Sequence, residues 1–137
     1  MNTKHPILLI EDDIIDQMAV KRAFKELKIT NKLFIANNGE EALEFLRDKN
    51  NQLPGFILLD LNMPKMNGLE FMDVVKKDPD LKKIPIVVLT TSMEENDRIE
   101  SFNLSVAGYI IKPVDYHNFI EAVKAINVYW TLSELHF

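Results

Sequence analysis

Polar residues stand directly after four short apolar runs of this 137-residue chain. In chain order these residues are Glu11 with Asp12, Asp60, Thr90 and Lys112. Carboxylates are ligands for hard cations such as Mg²⁺, and a hydroxyl and an ammonium group can bind the oxygens of a phosphoryl group. If the fold brings these residues together, the pattern predicts a site for a divalent cation and a phosphoryl group.

The apolar runs themselves are typical of buried strands. They are short, rich in Ile, Leu and Val, and do not alternate with polar residues, as expected for strands covered on both faces of a parallel sheet. Together with one further run they predict strands over residues 7–10, 32–36, 56–59, 86–89 and 107–111. The polar residues then lie at the carboxyl edge, where open parallel sheets bind their ligands.

Apolar residues at helical spacing follow each predicted strand. The first helix is expected to face the core with Ile15, Met18, Ala19, Ala23 and Leu27, and to turn Lys21, Lys25 and Lys28 outward. A helix over residues 94–104 has few large apolar side chains, so we expect it to be the least firmly held. Five strand–helix units predict an α/β fold, a doubly wound five-stranded parallel sheet of order 2-1-3-4-5 with five helices.

The composition predicts one globular domain, residues 1–137, in which residues 128–137 extend the last helix. The net charge of −5 argues against nucleic acid as a partner. The absence of cysteine excludes disulfides, thiol catalysis and cysteine metal sites. The sequence has no secretory signal and no apolar stretch of the roughly 20 residues that a membrane span needs. We therefore expect a cytoplasmic protein without a membrane partner.

The acidic residues are the candidate metal ligands. Glu11, Asp12 and Asp60 are expected to lie close together, where their charges repel unless a cation lies between them. Oxygen ligands favour Mg²⁺, and the backbone carbonyl of Asn62 is a further candidate. Asp13 is expected to cap the first helix rather than to bind the metal. The three histidines are scattered without ligand spacing, which argues against zinc or haem.

The same residues suit phosphoryl transfer. The carboxylate of Asp60 beside Mg²⁺ can attack phosphorus as a nucleophile and form an acyl phosphate. The ammonium group of Lys112 would neutralise part of the phosphoryl charge, and the hydroxyl of Thr90 would donate a hydrogen bond to a phosphoryl oxygen. We therefore assign a catalytic role to Asp60, Thr90 and Lys112.

These motifs resemble the receiver domains of two-component response regulators, and the resemblance covers almost the whole chain. It rests on residues 7–13, residues 58–64 with Asn67-Gly68, residues 85–92 and residues 108–113, in order and at family-like spacing. The resemblance implies a flavodoxin-like receiver fold. Two positions depart from the usual pattern, because Glu11 replaces the commoner Asp and Asn67 replaces the commoner Asp before the loop glycine.

The resemblance also implies the chemistry. Asp60 would accept a phosphoryl group from the phosphohistidine of a sensor histidine kinase or phosphotransfer protein, with Mg²⁺ held by the acidic residues. Thr90 and Lys112 would bind the phosphoryl group, and Tyr109 would rotate inward as Thr90 moves. Because Glu11 has a longer side chain than Asp, its contact with the metal is expected to run through water.

A narrower resemblance concerns one branch of the family. Glu11 in the acidic pair, residues 78–85 and residues 89–92 resemble small stand-alone receivers, some of which work with phytochrome-type histidine kinases. Residues 126–130 resemble the same branch. This resemblance implies a protein that signals without an output domain of its own.

The last helix is apolar on two sides. One stripe contains Phe119, Val123, Ile126 and Trp130, and the other contains Ala122, Ala125, Tyr129 and Leu132. One stripe must cover the sheet. The other predicts either a homodimer or a downstream target protein, or it folds back on the core of the chain itself, and the sequence leaves these alternatives open. Tyr129 and Trp130 are the interface candidates.

The leading functional hypothesis is a phosphorylation-dependent signalling switch that catalyses only its own phosphorylation and dephosphorylation. An intermediate carrier or phosphate sink in a phosphorelay is the alternative. An aspartate-nucleophile phosphatase is less favoured, because such enzymes place a second acid where this chain has Asn62. A flavodoxin-like cofactor carrier is disfavoured, because residues 11–13 are acidic and would repel a cofactor phosphate.

Overall fold

The computed structural model describes residues 5–61, 66–90, 108–111 and 116–134. Its strands are β1 (Ile7–Ile10), β2 (Leu33–Ala36), β3 (Phe56–Asp60), β4 (Ile86–Thr90) and β5 (Gly108–Ile111). Its helices are α1 (Ile14–Glu26), α2 (Gly39–Arg47), α3 (Gly68–Lys77) and α4 (Tyr116–Glu134). The predicted helix over residues 94–104 lies outside the described residues, and α4 is the last of the five predicted helices.

The five strands form one parallel sheet in the order β2-β1-β3-β4-β5, which confirms the predicted fold class and strand order. The central pair, β1 and β3, is aligned with Ile10 opposite Leu59. On the other side of β3, Asp60 is opposite Leu89 of β4. All five strands therefore end at the same edge of the sheet, in a register that brings their last residues level.

The sheet separates two apolar cores, because successive strand residues point to opposite faces. Leu8 and Ile10 of β1 belong to the core beneath α2 and α3. Ile7 and Leu9 belong to the core beneath α1 and α4. All four side chains have 1% or less of their surface exposed. Burial on both faces explains why these strands read as unbroken apolar runs in the sequence.

The predicted buried face of α1 is wrong in its first half. Ile15 and Met18 are 72% and 62% exposed, whereas Gln17 and Val20 are buried. The stripe that faces the sheet starts at Val20 and continues through Ala23 and Phe24. Three residues separate the end of β1 from the start of α1. The exposure of Ile15 and Met18 is what we expect of a first turn that extends beyond the carboxyl edge of the sheet.

The last helix covers the sheet with the first of its two predicted stripes. Phe119 and Val123 are buried against the core beneath α1 and α4. From the second stripe, Ala122 is half-buried and Ala125 is exposed. Arg22 of α1 places its guanidinium carbon 3.9 Å from the centre of the Tyr116 ring, which joins the two helices by a cation–π contact. Among the described helices, none is both long and apolar enough to cross a membrane.

The connection between β3 and α3 packs the backbone tightly at Gly68. An added Cβ at this position would lie 2.7 Å from the Cα of Leu61 and 2.9 Å from the carbonyl oxygen of Asp60. Neither atom can move without shifting the end of β3. The residue that starts α3 therefore has to be glycine.

We expect Gly68→Ala to lower the free energy of unfolding by about 2 kcal/mol, because overpacking against backbone is relieved only by moving it. Gly108→Ala is the matched control, since a Cβ there would have no heavy atom of the described residues within 4 Å. Its effect should stay within about 0.5 kcal/mol. Urea denaturation of both variants measures the difference, and equal stabilities would contradict the packing argument.

Candidate metal and phosphoryl site

Three carboxylates meet at the carboxyl edge of the two central strands. Glu11 immediately follows β1, and its amide nitrogen donates a 3.0 Å hydrogen bond to the carbonyl oxygen of Ala36, so the strand pairing continues through it. Asp60 is the last residue of β3. Because Ile10 and Leu59 are paired, the next residues along both strands are Glu11 and Asp60. The strand register thus brings together two acids that are 49 positions apart in the sequence.

One carboxylate oxygen from each of Glu11, Asp12 and Asp60 lies within 4.8 Å of the other two. Glu11 is fully buried and Asp60 is 4% exposed, whereas Asp12 is exposed. At this separation two buried negative charges repel by on the order of 3 kcal/mol for an effective dielectric constant of about 20. The cluster therefore concentrates three carboxylates in one place and opens to solvent on the side of Asp12.

This donor set fits a hard divalent cation. Carboxylate oxygens are the ligands that Mg²⁺, Mn²⁺ and Ca²⁺ prefer, and a cation among the three charges would cancel their repulsion. One exposed carboxylate leaves room for the water ligands that Mg²⁺ retains. Among the described residues, no other group of three or more acids and histidines could hold a metal ion.

Asp13 has a different role from its two acidic neighbours, as the sequence predicted. Its side chain accepts hydrogen bonds from the backbone amides of Ile15 (2.8 Å) and Asp16 (3.4 Å), and thereby caps α1. Its own amide donates to Oε2 of Glu11 at 3.3 Å. Capping fixes the start of α1 directly beside the acidic cluster.

Gln17 is a positioning residue that the sequence reasoning missed. Its side chain is 9% exposed, and its Nε2 donates to the carbonyl oxygen of Glu11 (2.6 Å) and to Oδ1 of Asn37 (3.2 Å). One amide thus joins α1 to the ends of β1 and β2. The only sequence signal is a polar residue one turn into α1 that interrupts the core-facing side.

The loops that follow β2 and β3 are tied to each other next to the acids. The amide of Gly39 donates to the carbonyl oxygen of Met66 at 3.2 Å, and the amide of Gly68 donates to that of Leu61 at 3.2 Å. Asn67, the departure noted in the sequence, caps α3 in a reciprocal capping box with Glu70. Its side-chain oxygen satisfies the helix as an Asp would, so the departure leaves the cap intact.

The other predicted site residues lie on the neighbouring strands or outside the described residues. Thr90 ends β4, one residue beyond the position opposite Asp60. Thr90 is paired with Ile111, the last residue of β5, and Tyr109 is paired with Val88. Lys112 follows Ile111 in the sequence, and both Lys112 and Asn62 lie outside the described residues.

Comparison with known proteins places the chain in one family. Residues 7–124 match the family model described as the response regulator receiver domain. The chain is 39% identical over 133 residues to Response regulator Rcp1 of Synechocystis sp., and the match covers 94% of this chain and 90% of that protein. It is 36% identical to the probable methanogenesis regulatory protein FilR2 of Methanothrix harundinacea, with 90% and 82% of the two chains covered.

Two solved structures share the fold and more than a third of the sequence. The Mn²⁺-bound form of response regulator Rcp1 is 39% identical with a TM-score of 0.80, and the match covers 92% of this chain and 94% of that one. The phosphorylated cyanobacterial phytochrome response regulator RcpA is 36% identical with a TM-score of 0.82, and the match covers 93% and 94%. The narrower resemblance to phytochrome response regulators is thereby confirmed.

We expect Asp60→Asn to raise the free energy of unfolding in the presence of a chelator by on the order of 1 kcal/mol, because it removes one of three crowded charges. Asp80→Asn changes the net charge equally at an exposed position and should have little effect. Adding a divalent cation should stabilise the parent more than Asp60→Asn. Urea denaturation with and without metal tests both statements, and an unchanged or lower stability of Asp60→Asn in chelator would refute the first.

Proposed function

Because this chain belongs to the response regulator receiver domain family, we propose that it is a phosphorylation-dependent signalling switch whose phosphoryl acceptor is Asp60. The observation that carries the proposal is the acidic cluster. Asp60 is 4% exposed at the end of a central strand, and its carboxylate lies within 4.8 Å of those of Glu11 and Asp12. A buried carboxylate that borders a cation site is suited to nucleophilic attack on phosphorus.

The donor in this proposal is a phosphohistidine of a sensor histidine kinase or phosphotransfer protein. An oxygen of Asp60 attacks phosphorus and forms an acyl phosphate, while the P–N bond breaks and the imidazole nitrogen leaves with the electron pair. Glu11, Asp12 and Asp60, with the carbonyl of Asn62, would hold Mg²⁺, which supplies charge neutralisation for the phosphoryl oxygens. That Rcp1 has a Mn²⁺-bound form and RcpA a phosphorylated form supports the proposal.

Thr90, Lys112 and Tyr109 are proposed to sense the phosphoryl group. The register of β4 and β5 supports this, because Thr90 is level with Ile111, the residue before Lys112, at the edge where Asp60 lies. A phosphoryl group on Asp60 would be bound by Thr90 and Lys112. Inward rotation of Tyr109, two residues before the end of β5, would then report the change to a partner.

The exposed start of α1 supports recognition of the donor protein at this site. Ile14, Ile15 and Met18 are 68%, 72% and 62% exposed, and they follow the residue that caps α1 beside the acids. Large apolar side chains clustered at a surface are typical of protein interfaces. We propose that this α1 patch, defined by these three residues, contacts the protein that carries the phosphohistidine.

The output is proposed to be a protein–protein contact of the receiver itself. The match to Rcp1, which covers 90% of that protein, supports a receiver that acts without an output domain. We propose a cytoplasmic protein with one receiver domain over residues 1–137, in which residues 128–137 extend the last helix. Tyr129 and Trp130 are the proposed contact residues for a downstream target or a second copy.

We expect Asp60→Asn to lose labelling by acetyl phosphate or by a phosphorylated histidine kinase, because the amide cannot form the acyl phosphate. Chelation of divalent metal should abolish labelling of the parent. Asp80→Asn, which is exposed and remote from the cluster, should be labelled like the parent. Phosphoprotein gel analysis or intact-mass measurement reads the result, and labelling of Asp60→Asn at the parental level would show that another residue is the acceptor.

We expect Ile15→Gln combined with Met18→Gln to slow phosphoryl transfer from a histidine kinase that labels the parent by about tenfold, as for loss of an interface anchor. Labelling by acetyl phosphate should stay at the parental rate, because these side chains are exposed and no core is disturbed. Leu53→Gln, at a 39% exposed leucine, is the matched control. If labelling slowed equally with acetyl phosphate and with the kinase, the defect would lie in the site around Asp60 and not in the contact with the kinase.

A further inference from the structure

A second site is formed at the opposite end of α1 from the acidic cluster. A shallow cavity of about 360 Å³, largely open to solvent, lies between the end of α1 and the start of β2. Its apolar lining comes from Phe24, Ile29 and Leu33. A volume above about 300 Å³ is in the range of small-molecule sites in proteins. The 13 residues of α1 span about 20 Å, so this cavity is well separated from Asp60.

Three lysines surround this apolar lining. Lys21, Lys25 and Lys28 all line the cavity, and no acidic side chain among the described residues does. In the part of the chain that the structure describes, Lys77 forms an ion pair with Asp73, and none of the three cavity lysines forms one. Their charges are therefore available to a ligand. The chain as a whole has a net charge of −5, whereas the charged side chains that line this cavity are all cationic.

The residue type at Lys28 is consistent with a role at the cavity. Lys28 has φ of 58°, the left-handed conformation that glycine adopts without steric penalty and lysine does not. Many helices end with a residue in this conformation, and that residue is usually glycine. A lysine at this position is explained if its side chain is needed at the cavity.

The same turn closes the end of α1 with backbone hydrogen bonds. The amide of Ile29 donates to the carbonyl oxygen of Phe24 at 2.8 Å, and the amide of Lys28 donates to that of Lys25 at 3.1 Å, which is the pattern of a Schellman motif. These bonds satisfy two of the last carbonyls of α1. The helix C-terminus remains the negative end of the dipole, and the charges of the three lysines oppose it. They also hold Ile29 beside Phe24 in the lining of the cavity.

We propose that this cavity binds a small amphiphilic anion, a molecule in which a carboxylate, sulfonate or phosphate group is attached to an apolar body. The ammonium groups of Lys21, Lys25 and Lys28 bind the acidic group. The apolar body lies on Phe24, Ile29 and Leu33. Cations beside a helix C-terminus also stabilise a helix on their own, but that role does not require a concave apolar lining.

The test is an NMR titration of the full chain with 1-naphthaleneacetate, using 1-naphthaleneethanol as the neutral probe. We expect saturable shifts at the amides of Phe24, Ile29 and Leu33, with affinity for the neutral probe about tenfold lower, as for loss of a charge-assisted contact. The variant Lys21→Gln/Lys25→Gln/Lys28→Gln should bind 1-naphthaleneacetate with about tenfold lower affinity than the parent. Shifts located elsewhere, or no saturation up to the solubility limit, would overturn the proposal.

Two controls separate the cavity from general charge and from folding. Lys49→Gln/Lys82→Gln/Lys83→Gln removes three exposed lysines elsewhere and should bind like the parent. Lys28→Gly relieves the left-handed strain, so its melting temperature should be equal or higher while its affinity falls. Equal weakening in both triple variants, or full affinity in Lys28→Gly, would contradict the proposal. Labelling of Asp60 should be unchanged in all three variants, so this test is independent of the proposed function.

Discussion

The register between β1 and β3 is the constraint on which the site depends. It aligns Ile10 with Leu59 and so brings the next residues, Glu11 and Asp60, to one place with almost no exposed surface. Two carboxylates do not gather there spontaneously, because burial and mutual repulsion both oppose it. The fully buried apolar side chains of the two strands supply the free energy that holds them together. Stability thus comes from the strands, and the mutual repulsion of the acids opposes it.

The elements around the acids both position these side chains and reduce the repulsion between them. Helices α1, α2 and α3 all begin at the carboxyl edge of the sheet, and the positive ends of their dipoles lie on that side of the molecule. Side chains of Asp13, Asn38 and Asn67 cap the three helices. Each cap satisfies backbone amides in the first turn of its helix. The starts of the three helices therefore contribute fixed dipoles at the edge where the acids lie.

Much of the fold could be predicted from the sequence, because buried parallel strands leave an unmistakable pattern. Unbroken apolar runs gave the strands, and the parallel order then placed Glu11, Asp12 and Asp60 at one edge. The cap at Asp13 followed from its position before a helical pattern.

The buried face of α1 could not be predicted in the same way. Two apolar stripes compete along this helix, and periodicity does not show how far its first turn projects past the sheet. Ile15 was therefore assigned to the core although it is 72% exposed. Gln17 was missed for a related reason, since its role depends on the distance to the ends of β1 and β2. The left-handed conformation at Lys28 likewise has no local signal, because lysine is not a residue that usually adopts it.

The connection from β1 to α1 contains only Glu11, Asp12 and Asp13, and this brevity limits how such a chain can evolve. One added or deleted residue would rotate α1 by about 100° relative to the sheet. The rotation would turn Val20 and Phe24 out of the core and carry Ile15 away from the acidic edge. Substitutions in this connection therefore leave the orientation of α1 unchanged, whereas insertions do not. The number of residues in this connection, rather than their charge, determines which face of α1 points toward the sheet.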